Sequence, residues 1–483
     1  MTALVWLRTD LRIEDNTALS AACLHDEKVL AVWLVTPAQW QIHDDAACKI
    51  DFWLRNLVVL SERLAALNIP LLIRHADNWQ QAPETLNTLC RQHQVDSVFV
   101  NREYGINESR RDAAVQATLE KVGIHWQAHT DRVLFAPGSL LTAKGEYFQV
   151  FSRFRKLAWR HLSEGVPERL PIPAQRPAMP CPPDPLPTLP AELTPPAANL
   201  QARWLAGETA AHERLSRFIA ERIEQYDAQR DFPALDGTSS LSPYLAAGVI
   251  TSRQCLHAAL EINQGEFAGG NSGIRTWINE LLWRDFYQHI LVGFPRVSMG
   301  QAFRRHTDHL PWRHAADELA AWQQGRTGIP LIDAAMRQLL ACGWMHNRLR
   351  MVCAMFLSKN LLIDWRLGER WFMQHLIDGD LAANNGGWQW SASTGTDAVP
   401  YFRLFNPYRQ SQRFDPEGDF IRHWLPELAS LDQRRIHQPP LDDIFEPVSY
   451  CPPLVDLAAS RQRALASFRA LDAFRPPSQE ADS

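Results

Sequence analysis

The stretch DGDLAANNGGWQWSASTGTD, residues 378–397, gathers three carboxylates, two asparagines and two tryptophans into twenty positions. Carboxylates there can accept hydrogen bonds from sugar hydroxyls or from the N–H edge of a fused ring. Asn384 and Asn385 offer amides to a heteroatom that changes protonation state, and Gly386-Gly387 lets a ligand approach the backbone closely. Asp378 and Asp380 at i, i+2 would also suit a cation, but no third ligand stands at a recognisable spacing, so no metal is assigned. Trp388 and Trp390 share a face in a strand and point nearly opposite ways in a helix. Two separate jobs for them require a helix or an irregular turn.

Three other blocks carry chemistry. In RTWINELLWRDFY, 275–287, a helix places Trp277, Glu280 and Arg284 at i, i+3 and i+7, with Trp283 about one turn from Glu280. Such a face fits a pocket wall where Trp stacks on a planar ring, Glu accepts from base edges and Arg meets phosphate; an amphipathic helix with a salt-bridged flank is the alternative. The hydroxyl cluster TSSLS, Thr238–Ser242, follows the turn-like DFPALDG. It reads as a phosphate cradle at the start of a helix, or as a simple cap. In GWMHNRLRM, 343–351, Gly343 ends one helix and the next begins near Met345. Trp344, Asn347 and either Arg350 or Met351 then align by one-turn steps, with Arg348 on another side. His346 has no partner at ligand spacing and is read as structural.

The elements that must position these groups fall into two kinds. ALVWL (3–7), VLAVWLV (29–35), PLLIR (70–74) and DSVFV (96–100) read as buried parallel strands. Helical patterns at 49–67 and 107–121 go with them, giving a doubly wound sheet. No G-x-G-x-x-G follows a strand, so a dinucleotide fingerprint is missing there. Residues 167–196 hold twelve of the 32 prolines and read as an extended interdomain link. From about residue 208 the pattern is helical: 208–228, 275–292, 331–342, 346–362 and 369–376. The expected fold class is therefore α/β plus all-α, with a doubly wound α/β domain (1–135), a Pro-rich linker (136–207) and a helical domain (208–483).

Composition narrows the function classes. A length of 483 residues implies two or three domains, and a net charge of −5 gives no general pull toward nucleic acid. Locally the balance reverses: thirteen Lys/Arg face eight Asp/Glu between Arg275 and Arg370, a confined anion-binding surface for which DNA is a candidate. Eight scattered cysteines without a C-x-x-C pair argue against structural zinc or a disulfide framework and for a reducing cytoplasm. Neither a signal peptide nor a membrane-length apolar run is expected. Tryptophan is the outlier at eighteen.

Taken in order, LVWLRTDLRIEDN (4–16), GIPLIDAAMRQL…GWMHNRLRM (328–351), LLIDWRLGERWF (361–372) and DGDLAANNGGWQWSASTGTDAVPYFRLFNP (378–407) resemble the DNA photolyase/cryptochrome family over nearly the whole chain. The chain closely resembles its bacterial class I members that repair cyclobutane pyrimidine dimers (CPDs) using folate and FAD. The resemblance implies an N-terminal antenna domain and a helical FAD domain. By it, Tyr226, Thr238, Ser239, Ser240, Leu241 and Ser242 would hold the FAD phosphates and ribose, with Trp277, Arg284 and Asn347 nearby. Asp378, Gly379 and Asp380 would face the flavin and ribose edge, and Asn384 would sit opposite flavin N5. Trp388, Trp365 and Trp312 would form an electron-transfer chain.

The same resemblance has Trp283 and Trp390 line the lesion cavity, and Glu280, Asn347 and Met351 contact the flipped dimer. Arg230, Arg348 and Arg403 would meet DNA phosphates, and Arg284 is counted with the DNA-facing set. Relatives that repair (6-4) products carry His at the positions of Asn347 and Met351, so cyclobutane dimers, in double- or single-stranded DNA, are the expected lesion. His43, Asn107 and Glu108 match the contacts of a 5,10-methenyltetrahydrofolate antenna. Met299 stands where close relatives have a Lys touching the folate tail. The implied reaction is light-driven electron transfer from excited FADH⁻ to the dimer, by a cytoplasmic monomer. The rivals are a signalling cryptochrome, an ordinary flavin oxidoreductase and a DNA-binding protein with a structural flavin.

Overall fold

Of five short strands near the N-terminus, the first four are apolar and largely buried, and all five pair in parallel. In the computed structural model, which describes residues 2–440 and 448–474, these are β1 (Thr2–Leu7), β2 (Lys28–Val35), β3 (Leu71–His75), β4 (Ser97–Asn101) and β5 (His125–His129). Their order is β3-β2-β1-β4-β5. Alternate residues of β1, β2 and β4, such as Leu4, Trp6, Val32 and Val98, enter one apolar cluster with Leu86 and Val115 from neighbouring helices. β5, sequence HWQAH, escaped the pattern reading because its residues are polar and only half-buried. An edge strand needs hydrogen bonds on one side and no continuous apolar run.

The chain divides into two compact units. The first comprises 1–227, 239–295 and 377–382; the second comprises 228–238, 296–376 and 383–483. The Pro-rich stretch runs extended within the first unit, tied down by Arg176 N–H to the Leu67 carbonyl, Asp184 N–H to Leu71 and the Asp184–Arg74 ion pair.

Helices in the second part of the chain follow local signals. Asn271 caps Ser272–Gly293 by accepting from Gly273 and Ile274 N–H. That helix buries residues on more than one side, Trp277, Ile278, Leu281, Leu282, Asp285 and Phe286 among them, as a central helix must. Pro330 opens Pro330–Cys342, and Gly343 at φ +62° closes it. His346 caps Asn347–Met355, its Nδ1 accepting from Arg348 N–H at 3.2 Å. Trp344 thus precedes the helix and does not share its one-turn steps, because the chain turns at Gly343 and restarts only at Asn347. A short π-helical segment, Phe356–Asn360, follows before Trp365–Met373, which Asp364 caps. The helix Leu381–Ala392 carries the opening stretch.

Candidate functional site

In the first unit the carboxylates of the opening stretch meet hydroxyl and guanidinium donors. Ser242 Oγ donates to Asp378 Oδ2 at 2.6 Å. Arg132 Nη2 holds Asp380 Oδ2 at 2.7 Å, and Gln288 Nε2 lies 3.4 Å from both Asp380 oxygens. Ser239, Ser240 and Leu241 lead into the helix Ser242–Ala246, with Ser240 in the left-handed region at φ +49°. A serine seldom adopts that conformation, and such residues cluster at ligand clamps.

Tyr226 and Trp277 are both buried and pack on either side of Phe218, with ring centroids 5.8 and 5.2 Å away. Arg284 donates to the backbone carbonyls of Arg132 and Leu245. Trp283 stacks at 3.7 Å on Phe151 and is flanked by Phe286 and Tyr287. That makes it a braced, half-buried aromatic platform, one turn from half-buried Glu280.

In the second unit the amides are aimed. Asn384 Nδ2 donates to the Glu369 backbone carbonyl at 3.0 Å, which turns the amide oxygen away from that contact as an acceptor. Asn385 Nδ2 donates to the Glu369 carboxylate at 2.9 Å, and its own oxygen accepts from Gln389 at 2.9 Å. Burial pushes the Glu369 carboxyl up to about 7, against the hydrogen bond from Asn385. Glu369 is a candidate site residue that sequence reasoning did not single out. It sits fifteen positions before Asn384 on another helix, between arginines, and nothing in its spacing marks it. Gly387 adds an opening: a Cβ there would meet nothing within 4 Å.

The three tryptophans share one apolar cluster: Trp365 and Trp388 are buried within it and Trp312 packs against it. Trp388 meets Phe372 at 5.0 Å and Trp322 at 6.0 Å, both edge-on. Its indole N–H and that of Trp312 find no acceptor among the described residues, which is uncommon for buried donors. Trp390 projects from another side of the helix and is half-buried.

Thr238 closes the loop 231–237, where Gly237 lies so near Gln229 that a Cβ would come within 2.9 Å of its backbone oxygen. On Asn347–Met355, Asn347 Nδ2 lies 4.0 Å from Met351 Sδ. Arg348 is held by both oxygens of Asp231, at 3.2 and 2.6 Å, and stacks 4.5 Å above Phe414. Arg403 is exposed, its carbonyl accepting from Lys359, while Arg230 is half-buried. His346 is buried, and burial pushes it down to about 4, so it serves neutral as a cap.

The antenna candidates cluster in the first unit. His43 Nε2 lies 3.1 Å from the Asn107 amide and 3.0 Å from that of Gln39, with Trp79 edge-on at 4.6 Å. Burial raises the Glu108 carboxyl, with His43 pulling it down. Met299 is 49% exposed. No group of three or more His, Cys, Asp or Glu able to hold a metal occurs among the described residues, and no helix there is long and apolar enough to cross a membrane.

Comparison with known proteins identifies the family. Residues 3–177 match the family described as DNA photolyase, and residues 277–470 match the FAD binding domain of DNA photolyase. The deoxyribodipyrimidine photo-lyase of Salmonella typhimurium is 46% identical over 91% of this chain and 92% of its own. That of Escherichia coli is 42% identical over 97% and 98%. A class III photolyase structure from Agrobacterium tumefaciens superposes with a TM-score of 0.87 at 35% identity, covering 98% of each chain. A Synechocystis cryptochrome does so at 0.83 and 28% identity, covering 96% of this chain and 98% of that one, so fold by itself does not separate photolyase from cryptochrome. The photo-lyase relatives and the two family matches do, and the chain is a member of the DNA photolyase family.

Proposed function

We propose that this chain is the light-driven enzyme that splits cyclobutane pyrimidine dimers in DNA. The observation that carries the reading is the Glu369–Asn384 contact, which leaves a neutral amide acceptor beside buried Trp388. The donor set fits FAD: Ser242 with Asp378 and Arg132 with Asp380 are short polar pairs suited to ribose and ring edges, and Asn384 suits a protonated N5. When bound and reduced, the flavin supplies an excited-state electron to the dimer.

The chain's own residues do the rest. Asn384 would accept a hydrogen bond from the protonated N5 of the flavin. Tyr226, Thr238, Ser239, Ser240, Leu241 and Ser242 bind the phosphate and ribose end, with Trp277, Arg284 and Asn347. Gly379 keeps the backbone between the two aspartates small. Trp388, Trp365 and Trp312 carry an electron inward from the surface. Glu280, Trp283, Asn347, Met351 and Trp390 contact the dimer in this reading, while Arg230, Arg348 and Arg403 hold flanking phosphates. A dimer stacks and pairs poorly, so extruding it costs less than extruding an intact base.

His43, Asn107 and Glu108 hold a folate antenna in this reading. A deazaflavin antenna is the rival, but a crevice of the first unit at the ends of β1 and β4 is lined by charges such as Arg8, Asp10, Arg12 and Glu103, poor walls for its flat tricyclic ring. We place the protein as a monomer in a reducing cytoplasm, with antenna residues 1–135, connector 136–207 and flavin- and DNA-binding residues 208–483.

The test is binding. The protein should hold UV-irradiated oligo(dT) more tightly than unirradiated oligo(dT), and Glu280→Ala or Trp283→Ala should bring the two within about threefold, with flavin retained; each lost contact is worth about 1–3 kcal/mol. Undiminished discrimination in both variants would contradict the pocket assignment.

A further inference from the structure

The antenna candidates and Asp380 belong to one compact unit, and a line of largely buried contacts joins them. At one end Arg132 holds Asp380 at 2.7 Å. Arg132 also reaches Glu103, directly at 3.9 Å and through Thr9, whose hydroxyl accepts from Arg132 and donates to Glu103. The other Glu103 oxygen accepts from Arg111 Nη2 at 2.9 Å. The Arg111 guanidinium lies 4.3 Å over Trp79, the ring that meets His43 edge-on at 4.6 Å.

The side chains of Glu103 and Arg132 are only 12% and 15% exposed, and that of Arg111 only 2%. Burial alone would raise the Glu103 carboxyl, but Arg111, Arg8 and Arg132 outweigh it and hold it down at about 2. Glu103 is thus ionised at any working pH and shared by two guanidiniums that face opposite ends. Water screens such a buried network poorly, so a displacement of either guanidinium is felt by the carboxylate between them.

We propose that Glu103 is a positioning residue common to both chromophore sites, so that filling one site raises the affinity of the other. The inference rests on the flavin and folate reading given above. A ligand that orders His43 and Trp79 also orders Arg111, Glu103 and Arg132, and the second ligand then meets an Asp380 already held in place. Couplings of this kind correspond to about 5- to 150-fold in affinity.

The experiment titrates FAD into the full chain stripped of chromophores, with and without saturating 5,10-methenyltetrahydrofolate, followed by flavin absorbance. Wild type, Glu103→Gln and Arg132→Gln are compared, with thermal melts as a check on folding. Folate should tighten FAD binding at least about fivefold in the wild type, and the ratio should fall to near one in each variant. An undiminished ratio in a folded Glu103→Gln, or in Arg132→Gln should the first variant not fold, overturns the proposal. A wild type that binds both chromophores independently overturns it too and leaves the cofactor assignment standing. A wild type that binds FAD but no folate removes the antenna assignment and this inference together.

Discussion

Asn384 owes its orientation to a backbone carbonyl fifteen residues away, and the acid belonging to that residue, Glu369, is buried against Asn385. The opening stretch stood out in the sequence as a candidate site because carboxylates, amides and indoles rarely crowd together. The contact that aims the amide did not, since tertiary packing alone brings Glu369 to it. Its carboxyl stands at about 7 in the folded chain against an ordinary 4.5, raised chiefly by burial. The unfolded chain therefore releases this proton first. Folding loses stability as pH rises from about 4.5 through about 7, a contribution on the order of 3 kcal/mol. Glu369→Gln keeps the carbonyl that Asn384 needs and removes the titration. Its thermal unfolding should be flatter than the wild type's across that window, and parallel profiles would show that Glu369 is not the group responsible.

At the scale of elements, the helix Trp365–Met373 is packed onto the helix Leu381–Ala392 at a glycine. A Cβ on Gly368 would lie 2.1 Å from the Trp388 ring and 2.6 Å from Leu357. Helical periodicity located both helices, but a glycine within LLIDWRLGERWF gives no sign of what presses on it. Gly368→Ala must push Trp388 aside, costing about 1–3 kcal/mol and slowing photoreduction of oxidised flavin. Trp312→Phe, on the half-buried rim of the same cluster, should leave stability nearly unchanged and block photoreduction while chemical reduction still works. Photoreduction at the wild-type rate in both variants would remove this set of tryptophans from the electron path.

A second element-level feature concerns DNA. Arg348 looked available for phosphate in the sequence, but Asp231, more than a hundred residues earlier, already holds it with two hydrogen bonds. Arg403, by contrast, is exposed. Each phosphate contact contributes about 0.9 to the slope of log affinity against log salt for duplex DNA. Arg403→Ala should lower that slope by about one, and Arg348→Ala by less, because Asp231 competes for the guanidinium. Equal slopes for wild type and Arg403→Ala would take Arg403 off the phosphate path.

Over the whole molecule, the fold class was readable from two periodicities: buried β-rich runs first, helical spacing afterwards. What escaped was what those periods do not encode. β5 is polar and half-buried, and the Pro-rich stretch is pinned along the first unit by backbone hydrogen bonds that its composition does not announce. The family likeness points to one activity. The measurement that bears on it most directly is repair of UV-irradiated oligo(dT) by the purified protein with its flavin reduced, under blue light and in darkness. Recovery of thymine absorbance should appear in the light and be absent in the dark. No recovery in the light, with flavin bound and reduced, would contradict the repair function.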